Sequence, residues 1–416
     1  MKIRPLGWVA IAVANFAYLV AVLQRSSLSV ASLEASQRFH IDATALASLA
    51  VFQLVTYAGM QIPAGVLLDR FGPRIVIAMG ATVMALGQLF VSTATSFDLA
   101  IVGRMLVGIG DACTFISMIR VVNAWATGPS ASRIQQWVAT IGQLGQVVSA
   151  LPFVWLLSIL GWSKAFFSLS AVAFFSAIVV VALLSENRSI QHQRVNLNVV
   201  ISSLRSNMAR HPVRMGFWTH ATTQSLGTVF ALLWCVPFTV EAQGYEKSFA
   251  SALLTIFTFT NACLGPVIGA LAAKSHLVQR RLIIAAPLLG MSAWAVVLAL
   301  PGRAPAWLLV ILVVLLGIGG PTSMLAFDYS RRYVQTQQLG AANGFVNIGG
   351  FLASLIMLGG IGIGLDLLNL GQTRTTLYSL GHFRIALLFQ FVVVSTALMA
   401  YLYEAKKTAE VEGIRE

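Results

Sequence analysis

Ionisable side chains are scarce in this chain, and the few inside its apolar stretches are where chemistry is to be sought. Arg25, Arg104, Asp111 and Arg120 each interrupt a run of aliphatic residues, and Asp328 lies near the end of another. A charge at mid-bilayer costs at least about 2.5–3.5 kcal/mol, so each of these groups needs a partner or a purpose. Arg104 and Asp111 stand seven residues apart, which puts them on one helix face, about two turns from each other. Asn15, Tyr18, Val22 and Arg25 step by 3, 4 and 3, a single helical stripe that should face an interior or a cavity. An arginine there can grip a carboxylate bidentately through its planar fork. It can equally serve as the structural partner of Asp111. Both readings stand at this point.

Uncharged polar residues extend the candidate set. Gln143 and Gln224 sit mid-run and are the best candidates to line a solute path, followed by Asn261. Trp234 can pack over a bound solute, although aromatic residues in apolar helices more often pack against each other. His220 is read as a hydrogen-bonded structural residue rather than a proton relay.

Enzyme chemistry finds little support. The six histidines are scattered, and Cys113, Cys235 and Cys263 fall inside apolar runs with no metal-ligand spacing and no disulfide framework. No glycine-rich Gly-Lys-Ser/Thr phosphate loop occurs. We therefore expect no catalytic residues, no metal, no cofactor and no ATP-driven step.

The elements that must carry these residues follow from composition. Of 416 residues 57% are hydrophobic and 10% charged, where a soluble domain carries about 25% charged residues. Lipid must be the solvent for most of the surface. Apolar runs fall near 6–31, 43–66, 74–94, 97–122, 134–157, 162–185, 214–240, 249–272, 282–300, 305–327, 341–364 and 381–403. At about 20 residues per crossing these are twelve transmembrane helices, an all-α membrane fold. The longest polar stretch divides them into a six-helix half at 1–185, a linker at 186–213, a second half at 214–403 and a tail at 404–416. The linker could fold as a short surface helix.

The net charge of +13 belongs to topology rather than to nucleic acid. With both termini cytoplasmic, 18 of the 27 basic residues fall on the inner side, 6 on the outer side and 3 inside helices. An offset of 209 maps Gly108-Ile109-Gly110 onto Gly317-Ile318-Gly319, Asn15 onto Gln224, Arg25 onto Trp234, and Arg120 to within one residue of Asp328. Two pseudo-symmetric halves are expected, with Arg120 and Asp328 as a candidate ion pair closing the cytoplasmic side. Asp328 has local alternatives in Arg331 and Arg332.

One loop is specific. Gly65-Val-Leu-Leu-Asp69-Arg70-Phe-Gly72-Pro-Arg74 resembles the signature loop of the major facilitator superfamily, and Gly265, Gly269, Lys274, Arg280 and Arg281 look like a degenerate second copy. Arg104, Gly108 and Gly110 resemble the superfamily's fourth-helix pattern. The resemblance implies a secondary transporter working by alternating access, in which Asp69 latches a helix N-terminus of the other half. Three further stretches are similar to its anion:cation symporter branch: Tyr18 with Gln24-Arg25-Ser-Ser-Leu28-Ser29-Val30-Ala31; Arg104, Leu106, Gly108, Asp111-Ala112, Phe115 and Trp125; and Gly142, Gln143 and Pro152. The branch implies a small organic anion as substrate and a proton as coupling ion. One position departs from it: Gln24 stands where relatives carry a proton-binding acid, which leaves Asp111, beside Arg104, as the candidate carrier. The expected protein is a monomer in the cytoplasmic membrane that takes up a small anion. Proton-driven efflux of a drug or metabolite is the alternative, disfavoured because Ser149 to Val154 lacks an exporter-type glycine motif. A nitrate-type porter ranks third, on Asn347-Ile-Gly349-Gly350.

Overall fold

With no water in the hydrocarbon, a crossing segment must satisfy its own backbone, and the runs read from the sequence do so as helices. The computed structural model describes residues 5–126, 129–185, 208–334, 339–372 and 376–412, and no strand occurs among them. Among the described residues, eleven stretches are long and apolar enough to cross a membrane. One of them, Thr140–Leu183, has 44 residues. At 1.5 Å per residue it would reach about 66 Å, twice a bilayer core of about 30 Å. Gly161 breaks it at φ 70° and ψ 178°, so the stretch supplies two crossings and the expected twelve are accounted for. The all-α membrane fold is as read from the sequence.

The chain forms two compact units, Met1–Ile41 with Ser48–Val195, and Asp42–Ala47 with Asn196–Glu416. In the first unit the helix Pro5–Val30 packs mainly against Phe97–Trp125, Pro129–Val148 and Val154–Leu183. Small residues permit this. A Cβ on Gly145 would lie 2.1 Å from the carbonyl oxygen of Leu19, and one on Gly87 would lie 2.6 Å from that of Gly103. In the second unit His211–Val229 is central, flanked by Leu339–Leu368 and Leu388–Glu412.

Helix starts are capped where polar residues flank the apolar runs. Ser96, Ser275 and Ser379 accept from the backbone N–H groups of Leu99, Val278 and His382. Within the second unit, the Asp366 carboxylate accepts from the N–H groups of Ala43 at 3.0 Å and Thr44 at 2.8 Å. It thus covers orphan donors at a positive helix end.

Several local expectations need correction. The signature segment is not an open loop: helix runs from Ala43 to Thr93, interrupted only at Gly72, whose φ of 76° and ψ of 167° only glycine adopts readily. The run expected at 282–300 begins earlier, at His276, so Arg280 and Arg281 lie on the helix. The run at 305–327 is divided into Ala306–Gly317, Gly319–Ser323 and Ala326–Tyr333. Glycines 317, 319 and 320 and Pro321 concentrate there, and all weaken a continuous helix. Helices also loosen to π-type hydrogen bonding at Ser149–Phe153, Phe230–Trp234 and Phe238–Ala242. Pro152 and Pro237, which lack an N–H, lie in or beside these segments. The surface helix considered for the linker, over 186–210, lies outside the described residues except at its last three positions.

Candidate functional site

The first unit gathers the intramembrane charges around one turn of the first helix. Arg25 Nε lies 3.5 Å from Asp111 Oδ2, with the two side chains 15% and 2% exposed. Asp111 Oδ2 has no hydrogen-bond partner of normal geometry. The contact therefore balances charge without saturating the carboxylate. Arg25 also stands over the ring of Tyr57, 5.8 Å from its centroid, a cation–π arrangement.

Arg104 lies on the same helix as Asp111 and also reaches the first helix. It is 1% exposed. Its guanidinium donates to the backbone carbonyl of Arg25 at 3.0 Å, to Ser27 Oγ at 3.2 Å and to Gln53 Oε1. Arg104 thus ties the fourth-helix stretch Phe97–Trp125 to the backbone that carries Arg25. It braces the site. Gln88 adds a second brace, donating to the Gln24 carbonyl and to Ser27 Oγ, both at 3.2 Å. Neither Ser27 nor Gln88 was singled out from sequence. The available signal was a lone amide inside the apolar run 74–94.

Gln24 is fully buried and donates to the carbonyl of Leu169 at 2.9 Å. Its side chain is held by the helix Val154–Leu183, and Arg25 interacts elsewhere. One turn and a half earlier, Tyr18 accepts from Gln143 Nε2 at 2.8 Å and packs on Phe115 at 5.2 Å between centroids. Gly142 makes room for that ring: a Cβ there would meet Tyr18 Cδ1 at 1.9 Å. Asn15 is half-buried, and its Oδ1 has no partner. In the first unit the stripe is thus joined to its neighbours at Tyr18, by Gln143, and at Arg25, by Asp111, while Asn15 lies further along the same helix.

The second unit places the remaining candidates apart. Gln224 lies against Gly350, and Asn261 lies against Gly320. Trp234 is 0% exposed and packs edge-on to Phe383, 6.0 Å between centroids, near Phe230, Phe238 and Trp294. That is a packed aromatic core, with Trp234 Nε1 buried and without a hydrogen-bond partner. His220 is also buried. Its Nδ1 accepts from the Gly350 N–H at 3.1 Å, and its Nε2 has no partner. Leaving such a group unpaired costs roughly 1–3 kcal/mol.

Of the signature residues, Gly65, Arg70, Gly72 and Arg74 are described. Arg70 stacks on Phe71, and Arg74 donates to the carbonyl of Val181. The Asp69 side chain lies outside the described residues. Arg120 is half-buried on Phe97–Trp125 in the first unit. Asp328, in the second, accepts from Gln279 Nε2 at 3.3 Å, and Arg332 donates to Gln279 Oε1 at 3.0 Å. Among the described residues no cluster could hold a metal ion.

The family described as Major Facilitator Superfamily matches residues 14–358. The chain belongs to the major facilitator superfamily. This superfamily member is similar to the probable L-galactonate transporter of Escherichia coli (strain K12), 27% identical over 218 residues, 52% of this chain and 48% of that one. It is also similar to the probable galactarate/D-glucarate transporter of the same organism, 28% identical over 186 residues, 41% of this chain and 39% of that one. The match therefore spans about half the length of the first of these relatives and less of the second. Both lie on the anion:cation symporter side, where the motifs around Arg25 and Asp111 pointed. Among solved structures, a bacterial homologue of the human lysosomal transporter Spinster, inward-facing and unoccupied, superposes with a TM-score of 0.74. It has 15% identity over 97% of this chain and 98% of that one, a likeness of fold.

Proposed function

We propose that this superfamily member moves a small organic anion across the cytoplasmic membrane by alternating access, as proton-coupled uptake. The observation that carries the reading is the loose Arg25–Asp111 pair. An incoming carboxylate competes with Asp111 for the same guanidinium. A protonated Asp111 releases Arg25 to grip the substrate through its fork, so proton and anion enter together. An ionised Asp111 takes the guanidinium back and favours release. The two ligands are coupled because each is bound better in the presence of the other. Gln143 and Tyr18 border the same patch, and Asn15 offers an unpaired acceptor to a substrate hydroxyl. Arg104 serves by holding the backbone of Arg25 in place.

The names of the relatives support an organic anion as cargo. On the sequence evidence both termini are cytoplasmic, Asp69 works as a latch, and Arg120 with Asp328 forms the inner gate. If so, reversing both gate charges restores transport lost in each single reversal.

The test is a thermal-shift screen on purified protein, with small carboxylates against hydrophobic cations. Carboxylates are expected to raise the melting temperature, and Arg25→Ala is expected to abolish the effect. Stabilisation by hydrophobic cations alone would overturn the reading.

A further inference from the structure

The helix that starts at Ala43 divides between the two units. Asp42–Ala47 belong to the second, and the residues from Ser48 on belong to the first. Ala43 opens the second crossing and Asp366 lies near the end of the eleventh, so both stand on the side of the membrane opposite the N-terminus.

Two observations define their contact within the second unit. Asp366 Oδ1 accepts the N–H of Ala43 at 3.0 Å, and Oδ2 accepts that of Thr44 at 2.8 Å. One turn earlier on Leu339–Leu368, Gly362 lets the backbones close in. A Cβ there would lie 2.9 Å from the Ala43 carbonyl oxygen and 3.1 Å from Ala47 Cβ.

Asp366 is not needed to start the helix. Asp42 already caps it, its Oδ1 accepting the Ala45 N–H at 2.7 Å and its carbonyl the Leu46 N–H at 3.0 Å. Asp366 comes from 323 residues away. Its carboxylate joins two segments rather than nucleating one. The join is also easily undone. Gly362 faces backbone and one methyl carbon there, so the surfaces can part without repacking bulky side chains. Asp366 is half-buried, so water can take over the two N–H groups once the carboxylate leaves. Asp42 brings a second negative charge to the same helix end, which weakens the hold.

We propose that Asp366 is a positioning residue of the transport cycle, a clasp that keeps Asp42–Ala47 on the second unit while the path is closed on that side and lets go when it opens. The proposal rests on the alternating-access reading above, and not on the cargo or the proton.

The experiment uses the full chain in lipid nanodiscs, with Cys263 replaced by serine. Nitroxide labels are placed on Thr95→Cys and Gln372→Cys, exposed positions on that same side, one in each unit. Electron–electron resonance reads the distance between them, and amide hydrogen exchange is followed at Ala43 and Thr44. Asp366→Ala loses two hydrogen bonds to a charged acceptor, so the ratio of long to short distances should rise about tenfold. Asp366→Asn is nearly isosteric and keeps one acceptor, so the ratio should rise about threefold, and this variant decides the matter if the alanine variant does not fold. Exchange at Ala43 and Thr44 should quicken in both. Asp42→Asn, at the same helix end, should not raise the ratio. Faster exchange with unmoved distances makes Asp366 a simple helix cap and overturns the proposal, as does an equal rise in Asp42→Asn. Gly362→Leu forces the contact apart by bulk. If it lengthens the distance and the Asp366 variants do not, the clasp alone fails. If no variant lengthens it, the alternating-access reading fails with the clasp.

Discussion

Arg25 and Asp111 sit 3.5 Å apart in a medium where neither charge is affordable alone, and that single distance frames what each does. Arg25→Lys keeps the charge but loses the planar fork. Carboxylate affinity should fall about tenfold, close to 1.4 kcal/mol, measurable by ligand-dependent melting shifts. Asp111→Asn removes the competing anion and the proton site together. Substrate binding should persist while uptake loses its dependence on an imposed proton gradient; gradient-dependent uptake equal to wild type would refute the coupling role. Arg104 is a contrast. It contacts Ser27, Gln53 and the Arg25 carbonyl, so Arg104→Gln should lower the melting temperature of the unliganded protein, which a residue acting only on substrate would not do. Spacing put Arg104 and Asp111 on one face, but spacing is silent on which neighbour each side chain reaches.

Two glycines separate packing from backbone strain at the scale of helices. Gly142 lies in a regular helix, where alanine is favoured by propensity, yet its Cβ would meet the Tyr18 ring at 1.9 Å. Gly142→Ala should push Tyr18 away from Gln143 and destabilise the unit by a few kcal/mol, an overpacking effect. Gly161 has open space around it, but its φ is +70°. Gly161→Ala should cost about 1–3 kcal/mol through strain alone, with substrate affinity unchanged. Melting curves with and without ligand distinguish the two. The existence of these helices was legible in the apolar runs. Their breaks were not: at Gly72 helix resumes within one residue, because hydrophobicity marks what is buried in lipid and says little about where hydrogen bonding pauses.

The positive-inside count predicts a topology for the whole molecule. With Cys263 replaced by serine, Lys247→Cys should react with an impermeant thiol reagent applied outside whole cells. Lys407→Cys should react only after the membrane is opened. Labelling in the opposite sense would invert the orientation and place the Asp69 segment outside. The remaining native cysteines, Cys113 and Cys235, are buried and should stay silent.

The sequence by itself determined the solvent, the count of crossings, the superfamily and the short roster of intramembrane charges. Each of these is written in composition, spacing or a contiguous motif, and needs no knowledge of what touches what. Only the tertiary structure decided the partners: that Arg25 meets Asp111, that Arg104 braces a backbone carbonyl, that Gln24 is bound to Leu169, and that Trp234 belongs to a packed core. It also showed His220 Nδ1 accepting from the Gly350 N–H. These facts depend on which helices come within a few ångströms of each other. That is set by small residues scattered along separate runs, Gly87 with Gly103 and Gly142 with Tyr18, and no single run contains both members of such a pair.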